Sequence, residues 1–110
     1  MRHKSVTIFD GEGNVVATAD IEFRQECYSG SVNVERMPES LRLMFEEYEE
    51  IVNNQIFSLL DQIEDQIGAI PFVAVFDDGC EAHVKDLQIF PKGCTVSFKM
   101  AEPVVACGSR

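Results

Sequence analysis

A change in hydrophobic period, from two residues to three or four and back to two, is the feature that most constrains this fold. Within residues 15–24, apolar side chains occupy every second position, at Val15, Ala17, Ala19, Ile21 and Phe23. This alternation predicts a β-strand with one face in the core and one in water. Residues 38–67 instead place apolar side chains three or four positions apart, which is the spacing of an amphipathic helix.

Shorter stretches on both sides of this helix also alternate as strands do. Residues 6–9 and 28–35 flank the long strand, and glycine, asparagine and aspartate in residues 10–14 suit a hairpin turn. Residues 72–76, 80–90 and 94–100 predict three further strands. The alternation slips by one position near Lys85 and Asp86, which predicts a β-bulge there.

The helical segment has clear end signals but an unusual length. Pro38 suits the first helical turn, and Gly68 and Pro71 suit its end. A single helix over residues 38–67 would be about 45 Å long, whereas a six-stranded sheet is only about 24 Å wide. The helix therefore either overhangs the sheet or breaks, and Asn53 and Asn54 are its weakest point by helix propensity.

Together these elements predict an α+β two-layer fold. An antiparallel sheet of about six strands, in the order βββ-α-βββ, carries one long helix packed on one face. Residues 1–101 form the single domain that a chain of 110 residues allows, and residues 102–110 form a flexible C-terminal tail. The predicted core comprises Val15, Ala17, Ala19, Ile21, Phe23, Val32, Val34, Phe45, Tyr48, Val52, Ile56, Leu59, Ile63, Phe72, Ala74, Val96 and Phe98.

The net charge of −10 excludes several classes of partner. Nucleic acids are bound through lysine and arginine, which release counterions from the phosphates, so we expect no nucleic-acid binding. Anionic membrane surfaces are excluded on the same ground. No apolar run approaches the roughly 20 residues that span a bilayer, and the apolar stretch near the N-terminus is too short for a signal peptide. We therefore expect a cytoplasmic protein.

The cysteines predict neither a metal site nor a disulfide framework. Cys27, Cys80, Cys94 and Cys107 form no close-spaced pairs of the kind that bind zinc. We expect reduced thiols that pack as small apolar groups. Neither a cofactor nor a metal ion is expected.

The distribution of charge is the most unusual feature of the sequence. No lysine or arginine lies between Leu43 and Val84, a segment that holds ten acidic residues. On a helical wheel, Leu43, Phe57 and six acids lie together, within about 100° of arc, on the side opposite the apolar stripe. The six acids are Glu46, Glu47, Glu50, Asp61, Glu64 and Asp65.

Two interpretations of this acidic face remain open. A solvated face that keeps the protein soluble is the first. A docking face for a basic protein is the second, because Glu46–Glu50 and Asp61–Asp65 are like-charge pairs that destabilise a helix. Apolar groups surrounded by charge, such as Leu43 and Phe57, are also typical of interfaces. A divalent-metal site has less support, because no aspartate-rich metal-binding loop is present.

Enzyme chemistry has little support, so catalysis is not the expected main function. No nucleophile, phosphate-loop or dinucleotide-binding motif is present. The alternative is a small-ligand site or a minor enzyme on the polar face of the sheet. Its candidate residues are Ser31, Asn33, His83 and Ser97. A solvated strand histidine is the simpler interpretation of His83.

Our leading hypothesis is a non-catalytic protein-interaction or regulatory module that forms a homodimer. An overhanging helix would leave apolar surface uncovered, and pairing is the common remedy for a small domain. Two acidic faces would repel each other. The dimer contact is therefore expected at the helix ends, the polar sheet face, or an outer strand edge carrying Val6 and Ile8.

Overall fold

A computed structural model of the chain describes residues 3–24 and 27–100. Its elements in chain order are β1 (Lys4–Phe9), β2 (Val15–Arg24), β3 (Cys27–Asn33), α1 (Glu39–Asn53), α2 (Phe57–Gly68), β4 (Val73–Phe76), β5 (Glu81–Phe90) and β6 (Thr95–Met100). The six strands occur where the alternation predicted them. The predicted flexible tail, residues 102–110, lies outside the described residues.

The six strands form a closed antiparallel barrel in the order β1-β2-β3-β6-β5-β4. The prediction of an open two-layer sheet was therefore wrong. The expected outer strand, β1, pairs with β2 on one side and with β4 on the other, so Val6 lies opposite both Ala19 and Phe76. Val6 and Ile8 are consequently buried in the core and offer no edge for a dimer. Alternation shows which side chains face inward, but it is the same in an open sheet and in a barrel.

The predicted bulge in β5 is confirmed. The β5–β6 register shifts between Lys85 and Gln88, and Asp86 has a positive φ of 54°. A second register shift lies between Ile8 and Phe9, where β1 pairs with β2. Bulges bend and twist a strand, which helps a sheet to close on itself.

The helical segment is two helices, and the prediction of one long helix was wrong. The N–H of Ile56 donates to the carbonyl of Ile51 at 3.0 Å, and that of Gln55 donates to Val52 at 3.2 Å. This pair of bonds, with Gln55 at a φ of 58°, is the Schellman ending of a helix. Glycine usually occupies that position, so the sequence does not show this type of ending, but α1 ends at Asn53, the weak point that helix propensity identified. No helix in the described residues is long and apolar enough to cross a bilayer.

The core fills the barrel and the space beneath the helices. Eleven predicted core residues are buried: Ala17, Ala19, Ile21, Val32, Phe45, Tyr48, Ile63, Phe72, Ala74, Val96 and Phe98. Val15, Val34 and Val52 are half-buried. The prediction was wrong for Phe23, Ile56 and Leu59, which are 59%, 39% and 43% exposed. Ile56 and Leu59 lie beyond the helix break, so a wheel drawn through the break assigns them the wrong face.

Aromatic contacts and one buried carboxylate attach α1 to the barrel. The rings of Tyr48 and Phe90 are 5.8 Å apart between centroids. Glu49 is only 6% exposed, and its carboxylate accepts hydrogen bonds from the backbone N–H groups of Lys92 at 2.9 Å and Gly93 at 3.0 Å. These bonds hold α1 against the β5–β6 turn and so fix the position of Tyr48.

The expectation that every thiol is reduced is only partly met. Cys27 and Cys94 are free thiols. Cys80 is disulfide-bonded, so for this residue the expectation was wrong. A crosslink of this kind forms between side chains brought together by the fold, which the spacing along the sequence does not reveal.

Candidate functional site

The predicted acidic arc is divided between two helices. We call the eight residues the acidic helix surface; they are Leu43, Glu46, Glu47 and Glu50 on α1, and Phe57, Asp61, Glu64 and Asp65 on α2. On each helix an exposed apolar residue is followed by three acids on the same side of the helix. The acids follow Leu43 by three, four and seven positions, and they follow Phe57 by four, seven and eight positions. Leu43 is 55% exposed and Phe57 is 65% exposed.

Two of these acids have partners within the chain. Glu46 pairs with Arg42 at 3.4 Å, and Glu64 accepts a hydrogen bond from the hydroxyl of Tyr48 at 3.2 Å. The other four are exposed and form no salt bridge with a described basic group. They are Glu47, Glu50, Asp61 and Asp65. The surface therefore keeps a negative charge that no basic group in the described residues neutralises.

The barrel does not gather the four candidate ligand residues of the polar sheet face. Ser31 and Asn33 line a groove over β1, β2, β3 and β4. Ser97 lines a separate pocket beside α2. His83 lies on β5, opposite Val73 of β4, and lines neither the groove nor the pocket. Within residues 3–24 and 27–100, no three His, Cys, Asp or Glu side chains lie close enough together to bind a metal ion.

A pocket of about 400 Å³ lies where the end of α2 meets β5. We call it the α2–β5 pocket and define it by Tyr48, Glu64, Ile67, Lys85, Asp86 and Lys99. Its volume lies within the range of small-molecule sites, about 300–1,000 Å³. Sequence analysis named Ser97 as a ligand candidate but missed the rest of this pocket, because its residues come from separate elements. The one available signal was the slip in alternation at Lys85 and Asp86.

Two carboxylates in the pocket lie near a protonated phenol. Burial, and after it the charge and hydrogen bond of Glu64 and the charge of Asp86, together raise the pKa of Tyr48 to about 12. The phenol is therefore neutral at pH 7, and its O–H donates to Glu64. Glu64 and Asp86 converge on this hydroxyl from α2 and from the β5 bulge.

Two lysines also line the pocket. Lys85 and Lys99 are directly opposite each other across β5 and β6, and both line the pocket. Like charges at opposed positions destabilise a strand pair. Neither ammonium group forms a salt bridge with a carboxylate in the described part of the chain.

Comparisons of this chain with protein-family models, curated protein sequences and solved structures find no match. The functional evidence is therefore the geometry of the acidic helix surface and of the α2–β5 pocket.

Proposed function

We propose that the chain is a non-catalytic protein-interaction module whose acidic helix surface binds a basic protein partner. The exposure of apolar side chains on the helices is the observation that supports this function. Five large apolar side chains are exposed in the described residues, and four of them lie within residues 43–59: Leu43, Ile56, Phe57 and Leu59. Exposed apolar groups beside charge of a single sign are typical of interaction sites.

The chemistry of this surface defines the partner. Lysine or arginine side chains would meet Glu47, Glu50, Asp61 and Asp65, and an apolar group would cover Leu43 or Phe57. The exposed carboxylates would mainly raise the association rate and give it a salt dependence. Most of the affinity would come from the apolar contacts, because interface energy is concentrated in a few desolvated side chains.

Two charge-matched variants test the role of the helices. Glu47→Lys with Glu50→Lys reverses charge on α1. Glu12→Lys with Glu35→Lys makes the same change in net charge at exposed turn positions outside the helices. Immobilised wild type is expected to capture basic proteins from a lysate at low salt. The α1 variant is expected to lose them, whereas the turn variant keeps them.

A second comparison separates a specific contact from general ion exchange. Leu43→Ser with Phe57→Ser leaves the charge unchanged, and for a purified captured protein it is expected to raise the Kd by about tenfold, which corresponds to about 1.4 kcal/mol. Equal capture by both charge variants, or an unchanged Kd in the serine variant, contradicts the proposed surface.

We also propose the cytoplasm as the place of this function. The free thiols of Cys27 and Cys94 support a reducing compartment, whereas the disulfide at Cys80 is more typical of an oxidising one. Fractionation of cells that express the tagged chain tests this, and recovery in a secreted or periplasmic fraction contradicts it.

A further inference from the structure

The α2–β5 pocket contains charges of both signs that do not neutralise one another. Lys85 and Lys99 are opposite each other on β5 and β6, and Glu64 and Asp86 lie near the hydroxyl of Tyr48. No salt bridge joins the two sets within the described residues. Side chains that served only to stabilise the fold would gain by pairing with each other, so the lack of salt bridges between the two sets favours a ligand that contacts both.

The β5 bulge places two consecutive residues of opposite charge, Lys85 and Asp86, in the same pocket. In regular alternation, consecutive residues of a strand point to opposite faces, but the β5 bulge leaves Lys85 and Asp86 both exposed. Asp86 has a φ of 54°, a conformation that costs a residue with a Cβ roughly 1 kcal/mol or more. Bulges with strained residues occur often beside functional sites, where they redirect a side chain.

Apolar side chains complete the wall between the charged groups. Ile67 belongs to the last turn of α2, and Ile70 and Phe72 follow it before β4. Ile67 and Phe72 are buried against the core, which keeps this wall rigid. A ligand in the pocket would therefore meet cations, anions and an apolar surface.

We infer that the α2–β5 pocket binds a free amino acid with an apolar side chain. The ligand carboxylate lies between the ammonium groups of Lys85 and Lys99. The ligand ammonium contacts Glu64 and Asp86, and the apolar side chain packs on Ile70, which lines the pocket and is only half-buried. A ligand with both charges satisfies every charged group that lines the pocket, whereas a simple anion would face two carboxylates and a simple cation would face two lysines.

This inference is separate from the proposed protein interaction. Glu64 is the only residue that the pocket shares with the acidic helix surface. The amino acid binding is measured on the purified full chain with no protein partner present. Failure of either proposal therefore leaves the other intact.

Calorimetric titration with matched compounds on the wild type is the first test. L-Leucine and L-phenylalanine are expected to bind saturably. N-acetyl-L-leucine lacks the ammonium charge and L-leucinamide lacks the carboxylate, so each is expected to bind about tenfold more weakly than L-leucine, or worse. No saturable binding of free amino acids at millimolar concentration overturns the inference. So does equal binding of leucine and its two derivatives.

Two variants then assign each ligand charge to one set of pocket residues. Lys85→Gln with Lys99→Gln is expected to remove the preference for L-leucine over L-leucinamide. Glu64→Gln is expected to reduce the preference over N-acetyl-L-leucine. Lys92→Gln and Glu47→Gln are the matched controls, because both side chains are exposed and neither lines the pocket. Unchanged preferences in the pocket variants overturn the assignment, and the compound series on the wild type remains decisive if a variant does not fold.

Discussion

At the scale of single residues, Glu49 shows how one buried charge can position a whole helix. We expect Glu49→Gln to lower the free energy of unfolding by about 1.5–3 kcal/mol, because an amide cannot accept from both the Lys92 and Gly93 N–H groups. Urea unfolding measures this. Glu47→Gln, exposed on the same helix, should stay within about 0.5 kcal/mol of wild type. Equal effects of the two variants would show that the Glu49 hydrogen bonds add no stability.

The ionisation of Tyr48 gives a prediction about alkaline stability. Burial, and then the charges of Glu64 and Asp86, raise its folded-state pKa to about 12 from an ordinary value of 10.0. The unfolded chain therefore loses this proton first, so the stabilisation is complete below pH 10 and is lost as the pH rises toward 12. Ultraviolet absorbance should show the ionisation, and Tyr48→Phe should remove it. Glu64→Gln should lower the pKa of Tyr48, and an unchanged pKa would contradict the coupling.

Two apolar residues that the helical wheel placed together now have different expected roles. Phe45 is fully buried, whereas Leu59 is 43% exposed. Phe45→Ala is expected to cost about 3–5 kcal/mol of unfolding free energy, and Leu59→Ala should change it by no more than about 0.5 kcal/mol. Calorimetry on both variants measures this difference. A large loss from Leu59→Ala, measured at concentrations where the chain is a monomer, would mean that this side chain is buried after all.

At the scale of elements, the junction between α1 and α2 depends on a left-handed residue that is not glycine. Gln55 has a φ of 58°, so Gln55→Gly is expected to stabilise the protein by up to about 1 kcal/mol. Asn54 has an ordinary φ of −95°, so Asn54→Gly should destabilise it by about 0.5–1 kcal/mol. Thermal unfolding compares the two. A loss of stability in both would contradict the Schellman ending.

The elements also show which parts of the fold a sequence can predict. The strands and the bulge at Lys85 and Asp86 were predictable because they depend on local alternation of side chains. The position of the helix break, at Asn53 and Asn54, was predictable from helix propensity, but whether the helix breaks was not, because Gln55 adopts a conformation that its residue type does not favour. Barrel closure was not predictable either, because it depends on pairing between strands that are distant in sequence and leaves the alternation unchanged.

At the scale of the whole molecule, closure changes where a homodimer could form. Pairing of β1 with β4 removes the expected strand edge, and the two-helix arrangement removes the overhang. Of the contacts first considered, the helix ends retain exposed apolar surface, at Ile56 and Leu59. Sedimentation at micromolar concentration is expected to show a dimer, and Ile56→Ser with Leu59→Ser should dissociate it. A single 12.3 kDa species at every concentration would rule the dimer out.

The candidate sites show the same division between local and long-range information. Exposure of Leu43 and Phe57 followed from the period within each helix, so those two positions were predictable. The α2–β5 pocket was not, because Lys85 and Lys99 become neighbours only through the pairing of β5 with β6. Glu64 joins them only because α2 turns back after Gln55.

Closure of the barrel also sets an order of events for the newly made chain. Two strand pairs, β1 with β4 and β3 with β6, join the first three strands to the last three, and we call them the seams of the barrel. In the seams Val6 lies opposite Phe76 and Tyr28 lies opposite Phe98, and each of these pairs is separated by 70 positions. Neither seam can form until most of the chain has left the ribosome. Before then, β1 and β3 both present unpaired backbone groups, so a chain stalled within the helices exposes two open edges to its neighbours. Closing such long loops also slows folding, and the nascent chain is most prone to aggregation in that interval.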